Sequence, residues 1–249
     1  MKIHRQLQQK SWEWFKARAG KVTGSELKNL ITEGLSIRGW KTQIPKSYLH
    51  RKLAEKWRGE ALQSFQGNQQ TDQGVLWEDR ARKHFASFLE ADIETVGGIE
   101  SDDQRCWCSP DGIIGETIGL EIKCPNADTH VGWLLSGEMP EEHALQVHFS
   151  LWVSGFSEWK FLSYCNGYPQ LAVSAGRSML MCALIEDAVH QFNEKMDNGF
   201  AKLVELNGGP PPPRVAPPIT AESQADPRAN MFSGFEDRPE KYTMKETEL

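Results

Sequence analysis

Asp111, Glu121 and Lys123 lie within one short stretch and have the chemistry of a phosphodiester-cleaving centre. Ile118, Leu120 and Ile122 alternate with Gly119, Glu121 and Lys123, the period of a strand, so the apolar set shares one face and the acid and the base share the other. Asp111 follows Trp107-Cys108-Ser109-Pro110, where Pro110 stops regular pairing, and Gly115-Glu116-Thr117 forms a turn that returns the chain alongside it. The pattern predicts a β-hairpin able to bring Asp111 within reach of Glu121. Two converging carboxylates repel each other unless a cation sits between them, and oxygen-only ligation suits Mg²⁺ or Mn²⁺ rather than zinc. A lysine beside that cation can orient a water or offset the charge that builds on a phosphate. The same alternation also fits solvated residues on the exposed face of an antiparallel sheet, and spacing alone does not separate the two readings.

Other candidates surround the hairpin. On a helix running to about residue 89, Val75, Ala81, Phe85, Phe88 and Leu89 form an apolar arc into which Glu78 projects. A carboxylate there needs a partner: a buried arginine, backbone amides, or the waters of a metal site. Over 140–155, Leu145, Phe149 and Trp152 fall at i, i+4 and i+7 and are expected inward, while His143, Gln146 and Ser150 line a different stripe. Ser25 lies near a helix start, where backbone amides can receive an anion. Ser25 as a plain helix cap, worth about 1 kcal/mol, and Arg18 in a surface ion pair are the bland alternatives.

These residues need a frame. Segment 11–18 reads as a short helix opened by Ser11, and Thr23-Gly24-Ser25-Glu26 begins a second that runs to about residue 31. Pro45 opens a third to about residue 57, 66–70 is polar loop, and a long helix follows to about 89. Strands are expected near 93–100, 104–108 and 118–124, a helix from Pro140 to Gly155, a strand over 158–165 and a last long helix over 178–206. The sum is an α/β domain of residues 1–206 around a mixed central sheet flanked by helices. From Asn207 the chain turns proline-rich and loses apolar periodicity, so 207–249 reads as a flexible tail.

The chain of 249 residues carries a net charge of -6, but the charge is unevenly spread. Residues 1–60 hold 14 Lys and Arg against 5 Asp and Glu, whereas 61–206 hold 9 against 22. One basic surface for phosphates on an otherwise acidic molecule fits this polarity, as does a helical region with an ordinary lysine-rich face. No apolar run approaches a membrane span and the start lacks a signal segment, so a soluble protein of the cytoplasm is expected. The five cysteines form neither a paired framework nor a C-x-x-C knuckle and are expected as reduced, mostly buried thiols.

The run Ser109-Pro110-Asp111-Gly112 followed by Leu120-Glu121-Ile122-Lys123-Cys124-Pro125 resembles the PD-(D/E)xK nucleases, and more narrowly the phage lambda exonuclease family of YqaJ-like viral recombinases. The resemblance extends in order through Trp12 to Arg18, Val22 to Glu26, Gly74 to Glu78 and Gln146 to Val153, and covers about the first 200 residues. It implies a restriction-endonuclease-like core and a 5′-to-3′ exonuclease on linear double-stranded DNA that releases 5′-mononucleotides and leaves 3′ overhangs for strand annealing. It further implies two Mg²⁺ or Mn²⁺ ions, with Asp111 between them and Glu121 and the Ile122 carbonyl on the first. Glu78 and Gln146 stand beside the hydrolysed phosphate in this reading, and Lys123 orients or deprotonates the attacking water. Arg18, Ser25 and Ser109 grip a terminal 5′-phosphate, with Arg18 and Ser25 at the family's separation of seven residues. His143 falls where the family's best-known member has an aromatic hydrogen-bonding residue. A ring-shaped homotrimer, a single-strand annealing protein as partner and a phage or prophage origin in a bacterial host also follow from the resemblance. The chain departs from that member at Gln69, Gln70 and Thr71, where it has an apolar strand-separating wedge. An endonuclease of the same fold and a non-catalytic DNA-end-binding protein are the competing readings.

Overall fold

The computed structural model describes residues 1–32, 39–62 and 69–211, including side chains except at 69–76. Along the chain run β1 (Lys2–Ile3), α1 (Trp12–Arg18), β2 (Val22–Thr23), a 3-10 helix (Gly24–Asn29), β3 (Ile31–Thr32), β4 (Lys41–Thr42), α2 (Lys46–Arg58) and α3 (Gln69–Leu89). There follow β5 (Ile93–Glu94), β6 (Ile99–Glu100), β7 (Cys106–Cys108), β8 (Gly112–Ile114) and β9 (Ile118–Lys123). The remainder is α4 (Ala127–Ser136), α5 (Glu141–Ser154), β10 (Glu158–Ser163), β11 (Leu171–Gly176) and α6 (Met179–Asn207).

The strands divide between two mixed sheets and a small β3–β4 pair. In the larger, ordered β11-β10-β9-β8-β5, only β9 and β10 run parallel, with Glu121 opposite Phe161 and Lys123 opposite Ser163. The other is ordered β1-β6-β7-β2, with β2 parallel to β7. The two sheets are joined through Ser109-Pro110-Asp111, where the missing proline N–H ends β7 before β8 begins. The predicted strand over 93–100 is accordingly divided, β5 in the larger sheet and β6 in the other, and the one over 104–108 shortens to β7 of the latter.

Helix ends follow their capping residues. The Ser11 side chain accepts from the Trp14 amide, Pro45 and Pro140 precede α2 and α5, and Gly59, Gly155 and Gly208 take left-handed C-terminal positions. The segment after Thr23 is a single 3-10 helix that ends at Asn29. Helix α3 starts at Gln69, so the expected 66–70 loop is helical at its end, and residues 66–68 lie outside the described residues. So do residues 212–249, most of the expected tail.

Helix α5 is apolar nearly all round, with Leu145, Val147, Phe149, Leu151 and Val153 buried, and it packs among the sheets and α6 as the central helix. A second cluster joins Ala81 and Phe85 of α3 to Leu120 and Ile122 of β9. That contact turns the apolar face of β9 to α3 and leaves Glu121 and Lys123 on the other side. Phe88, expected in the apolar arc of α3, is instead 66% exposed, the apolar contact of the helix with the sheet running along Ala81, Phe85 and Leu89. The five cysteines are free thiols, with Cys106 and Cys108 buried. Among the described residues no helix is long and apolar enough to cross a membrane.

Candidate active site

Asp111 is fixed from three directions. Its Oδ2 accepts the Ile122 N–H at 2.6 Å, its carbonyl accepts Arg82 Nε at 2.6 Å, and its own N–H donates to the Leu120 carbonyl. Gln9 Nε2 adds a fourth tie by donating to the neighbouring Pro110 carbonyl at 2.9 Å. The predicted hairpin thus forms, and the loop before β8 folds its aspartate back onto β9. The Lys123 carbonyl accepts the Tyr164 N–H on the β10 side. Alternation along a strand then aims the N–H and C=O of Ile122 at the opposite edge, where Asp111 stands.

Glu121 is buried and receives both Lys123 Nζ and Gln146 Nε2, the latter at 2.7 Å. Gln146 reaches it from α5, one turn before Ser150, so the helix stripe expected from the sequence faces this strand. Glu78 pairs with Arg82, four residues on, at 2.8 Å. The partner that its position demanded is therefore an arginine, and that arginine also holds Asp111. Arg82, Gln9 and Trp107 were not read as site residues from the sequence; the i, i+4 spacing of Glu78 and Arg82 was the one available signal.

The electrostatics are those of crowded acids. Burial pushes the Asp111 carboxyl well above its usual range, and the charges of Glu121 and Glu78 push it further; Lys123 and the Ile122 amide only partly offset this. Burial works against the Lys123 ammonium, yet Glu121 and Asp111 outweigh it and raise its pKa. Among the described residues no three His, Cys, Asp or Glu side chains form a ready ligand cluster. The set expected for a first ion contains only two, Asp111 and Glu121, and takes the Ile122 carbonyl as its third donor. This donor set fits a hard divalent cation: it is all oxygen, and it contains a half-buried aspartate that lacks positive charge in proportion to the acids around it.

Arg18, Ser25 and Ser109 line the same cleft of about 230 Å³ as Asp111, Glu121 and Lys123. The Arg18 guanidinium lies 3.9 Å from the Trp14 ring centroid, and its Nε is buried with no hydrogen-bond partner among the described residues. Burial lowers its pKa against the opposing charges of Glu26 and Glu55. Thr23, not Ser25, occupies the N-cap position of the 3-10 helix, and Ser25 is exposed toward the cleft. His143 stands apart from this lining. Its ring stacks on Phe161 and meets Trp133 edge-on, each at 5.4 Å, and burial first, then Lys123, depresses its pKa to about 4.

Comparison with known proteins agrees with this geometry. The family model of the YqaJ-like viral recombinase domain matches residues 13–157. Among solved structures, an alkaline exonuclease from Laribacter hongkongensis superposes with a TM-score of 0.67 at 25% identity, over 79% of this chain and 97% of that one. The same enzyme in complex with dAMP gives the same values. A phage-related exonuclease from Haemophilus somnus 129PT shares the fold, with a TM-score of 0.55 at 15% identity over 74% of this chain and 96% of that one. No curated protein matches the sequence.

Proposed function

Because this chain belongs to the YqaJ-like viral recombinase family, we propose that it is a metal-dependent 5′-to-3′ exonuclease acting on linear double-stranded DNA. One observation carries the reading: a buried Glu121 and the half-buried Asp111 and Lys123 share a cleft with the hydrogen-bond donors of Arg18, Ser25 and Ser109. A cleaving centre and an anion grip a short distance apart suit an enzyme that counts from a 5′ terminus. The dAMP complex of the Laribacter enzyme supports a mononucleotide as the product.

Asp111, Glu121 and the Ile122 carbonyl would hold Mg²⁺ or Mn²⁺, with Asp111 shared between two ions. Such ions supply Lewis-acid stabilisation of the charge on the phosphate and on the leaving 3′-oxygen. Lys123 stands beside Glu121 as a charged donor that orients the attacking water. Gln146 keeps Glu121 in place and presents its amide to the phosphate, and Glu78, held by Arg82, would hold water or solvated metal at the edge of the site. Arg18, Ser25 and Ser109 hold the 5′-phosphate so that the next phosphodiester lies at Lys123. Release of 5′-mononucleotides leaves a 3′ overhang, the substrate of a single-strand annealing protein. A homotrimeric ring around the duplex in a bacterial cytoplasm, from a phage or prophage, completes the reading.

The test is digestion of 5′-phosphorylated linear duplex beside a covalently closed circle, in Mg²⁺ or EDTA, by wild type and Lys123→Ala. Shortening of the linear DNA alone, from its 5′ ends and only with metal and Lys123, is the expected result. Cutting of the circle would make the protein an endonuclease, and binding without degradation an end-binding protein.

A further inference from the structure

The Ser109 hydroxyl oxygen accepts the indole N–H of Trp107 at 2.8 Å and that of Trp14 at 3.2 Å, the latter shared with the Gly97 carbonyl at 2.8 Å. An indole nitrogen only donates, and a serine oxygen has two lone pairs and one proton. With both lone pairs engaged, the Ser109 proton must be donated, and it meets no acceptor among the described residues. Trp107 is fully buried, with the His4 ring 4.8 Å from its own and Lys21 Nζ 5.5 Å from its centroid. Its approach depends on Gly98, where a Cβ would fall 2.4 Å from the indole. Trp14 acts twice: its N–H reaches Ser109 and its face carries Arg18, whose Nε lacks a partner among the described residues.

We propose that Trp107 and Trp14 are positioning residues that lock Ser109 as an obligate hydrogen-bond donor and so tune this end of the cleft to a phosphate monoester. The inference rests on the end-recognition part of the function above. A terminal phosphate offers acceptors only, and matches a fixed serine proton beside a stacked arginine. A terminal hydroxyl, which competes as donor and acceptor, gains far less from a hydroxyl that cannot turn round. The two indoles therefore set the preference for 5′-phosphorylated over 5′-hydroxyl ends without touching the DNA.

The experiment measures equilibrium binding of fluorescent duplexes with 5′-phosphate or 5′-hydroxyl ends in EDTA, where no turnover interferes. Trp107→Phe keeps the ring and deletes the N–H. The phosphate preference should fall roughly five- to tenfold, less than a whole hydrogen bond to a charged group contributes because Ser109 keeps its proton, with binding of hydroxyl ends unchanged. Ser109→Ala should lose the preference too, and Trp107→Phe should add nothing in the Ser109→Ala background. Equal weakening toward both ends, or additive losses in the double variant, would overturn the proposal. Should Trp107→Phe fail to fold, benzothienylalanine at position 107 retains the indole shape without the N–H and must give the same selective loss. A wild type that binds phosphorylated ends preferentially but never degrades them would sink the exonuclease reading and leave the grip standing. A wild type with no preference would sink the grip.

Discussion

Asp111 carries the largest electrostatic cost in the site, and its neighbours show why the cost is tolerated. Its backbone is pinned by Arg82 and its carboxylate by the Ile122 amide, so it cannot turn away from Glu121. Asp111→Asn keeps the shape and can keep the amide bond while removing the buried charge. In EDTA the variant should melt about 2–4 °C higher than wild type, a gain on the order of 1 kcal/mol for a chain of this size, while turnover falls by roughly a thousandfold or more. A lower melting temperature by scanning calorimetry would mean that the acids do not oppose each other as described. Arg82 invites a second test, since it bonds the Asp111 carbonyl and the Glu78 carboxylate with separate nitrogens. A lysine presents its three donors from one point and lacks the fork that spans these two acceptors. Arg82→Lys should cost roughly ten- to a hundredfold in kcat with KM changed by less than about threefold, as expected when a misplaced group acts only in the transition state. A rise in KM with kcat intact would assign Arg82 to substrate binding.

The elements that bear the site were legible where capping and periodicity agreed. Ser11, Pro45 and Pro140 marked helix starts, and the alternation of 118–123 fixed the side on which Glu121 and Lys123 stand. Helix α4 escaped because its apolar residues Trp133, Leu134 and Leu135 are contiguous rather than spaced, and Leu135 is in fact 84% exposed. What anchors it is a buried polar contact, His130 to Ser163 Oγ at 2.7 Å and to the Pro169 carbonyl at 2.9 Å, which no apolar pattern reports. Strand β11 is an edge strand of small residues whose pairing depends on β10 being in place. The division into two sheets was hidden for a similar reason, since the partners of β1 and β2 lie in distant sequence. Long-range pairing also explains the 3-10 helix, whose Glu26 is held by Arg51 at 2.7 Å and Lys52 at 2.8 Å from α2. Burial alone would raise the Glu26 pKa, but Lys52 and then Arg51 outweigh it and hold it low. A depressed carboxylate contributes stability that is complete above its ordinary pKa and is lost as pH falls through the folded value. Glu26→Gln should therefore lower the melting temperature at pH 7 and shrink the gap to wild type as pH drops below about 4. A gap that persists unchanged at pH 3 would show that the pair is not what Glu26 contributes.

At the scale of the molecule, part of the positive excess of residues 1–60 is taken up by ion pairs among the described residues. Lys21 pairs with Glu100, Arg51 and Lys52 with Glu26, Lys52 also with Glu55, Lys56 with Asp197 and Arg58 with Glu60. Part of the N-terminal charge is thus paired, Lys2, Lys10, Lys16, Lys28, Lys41 and Lys46 are exposed, and the chain as a whole is acidic at -6. In the function proposed, contact with DNA is local, made by a few groups such as Arg18 and Lys123 within the cleft. Each phosphate neutralised contributes a slope of about -0.9 to the dependence of log K on log salt. Two or three such contacts per protomer predict that binding to a duplex end falls only about ten- to fortyfold between 50 and 200 mM salt. Weak local contacts would let a single protomer leave after each cleavage, so long runs require encirclement of the duplex, where loss of contact no longer means loss of substrate. The expectation is a trimer mass by light scattering together with run lengths that hardly change over the same salt range. A monomer with long runs, or a salt slope several times steeper, would point instead to an extended basic track along the DNA.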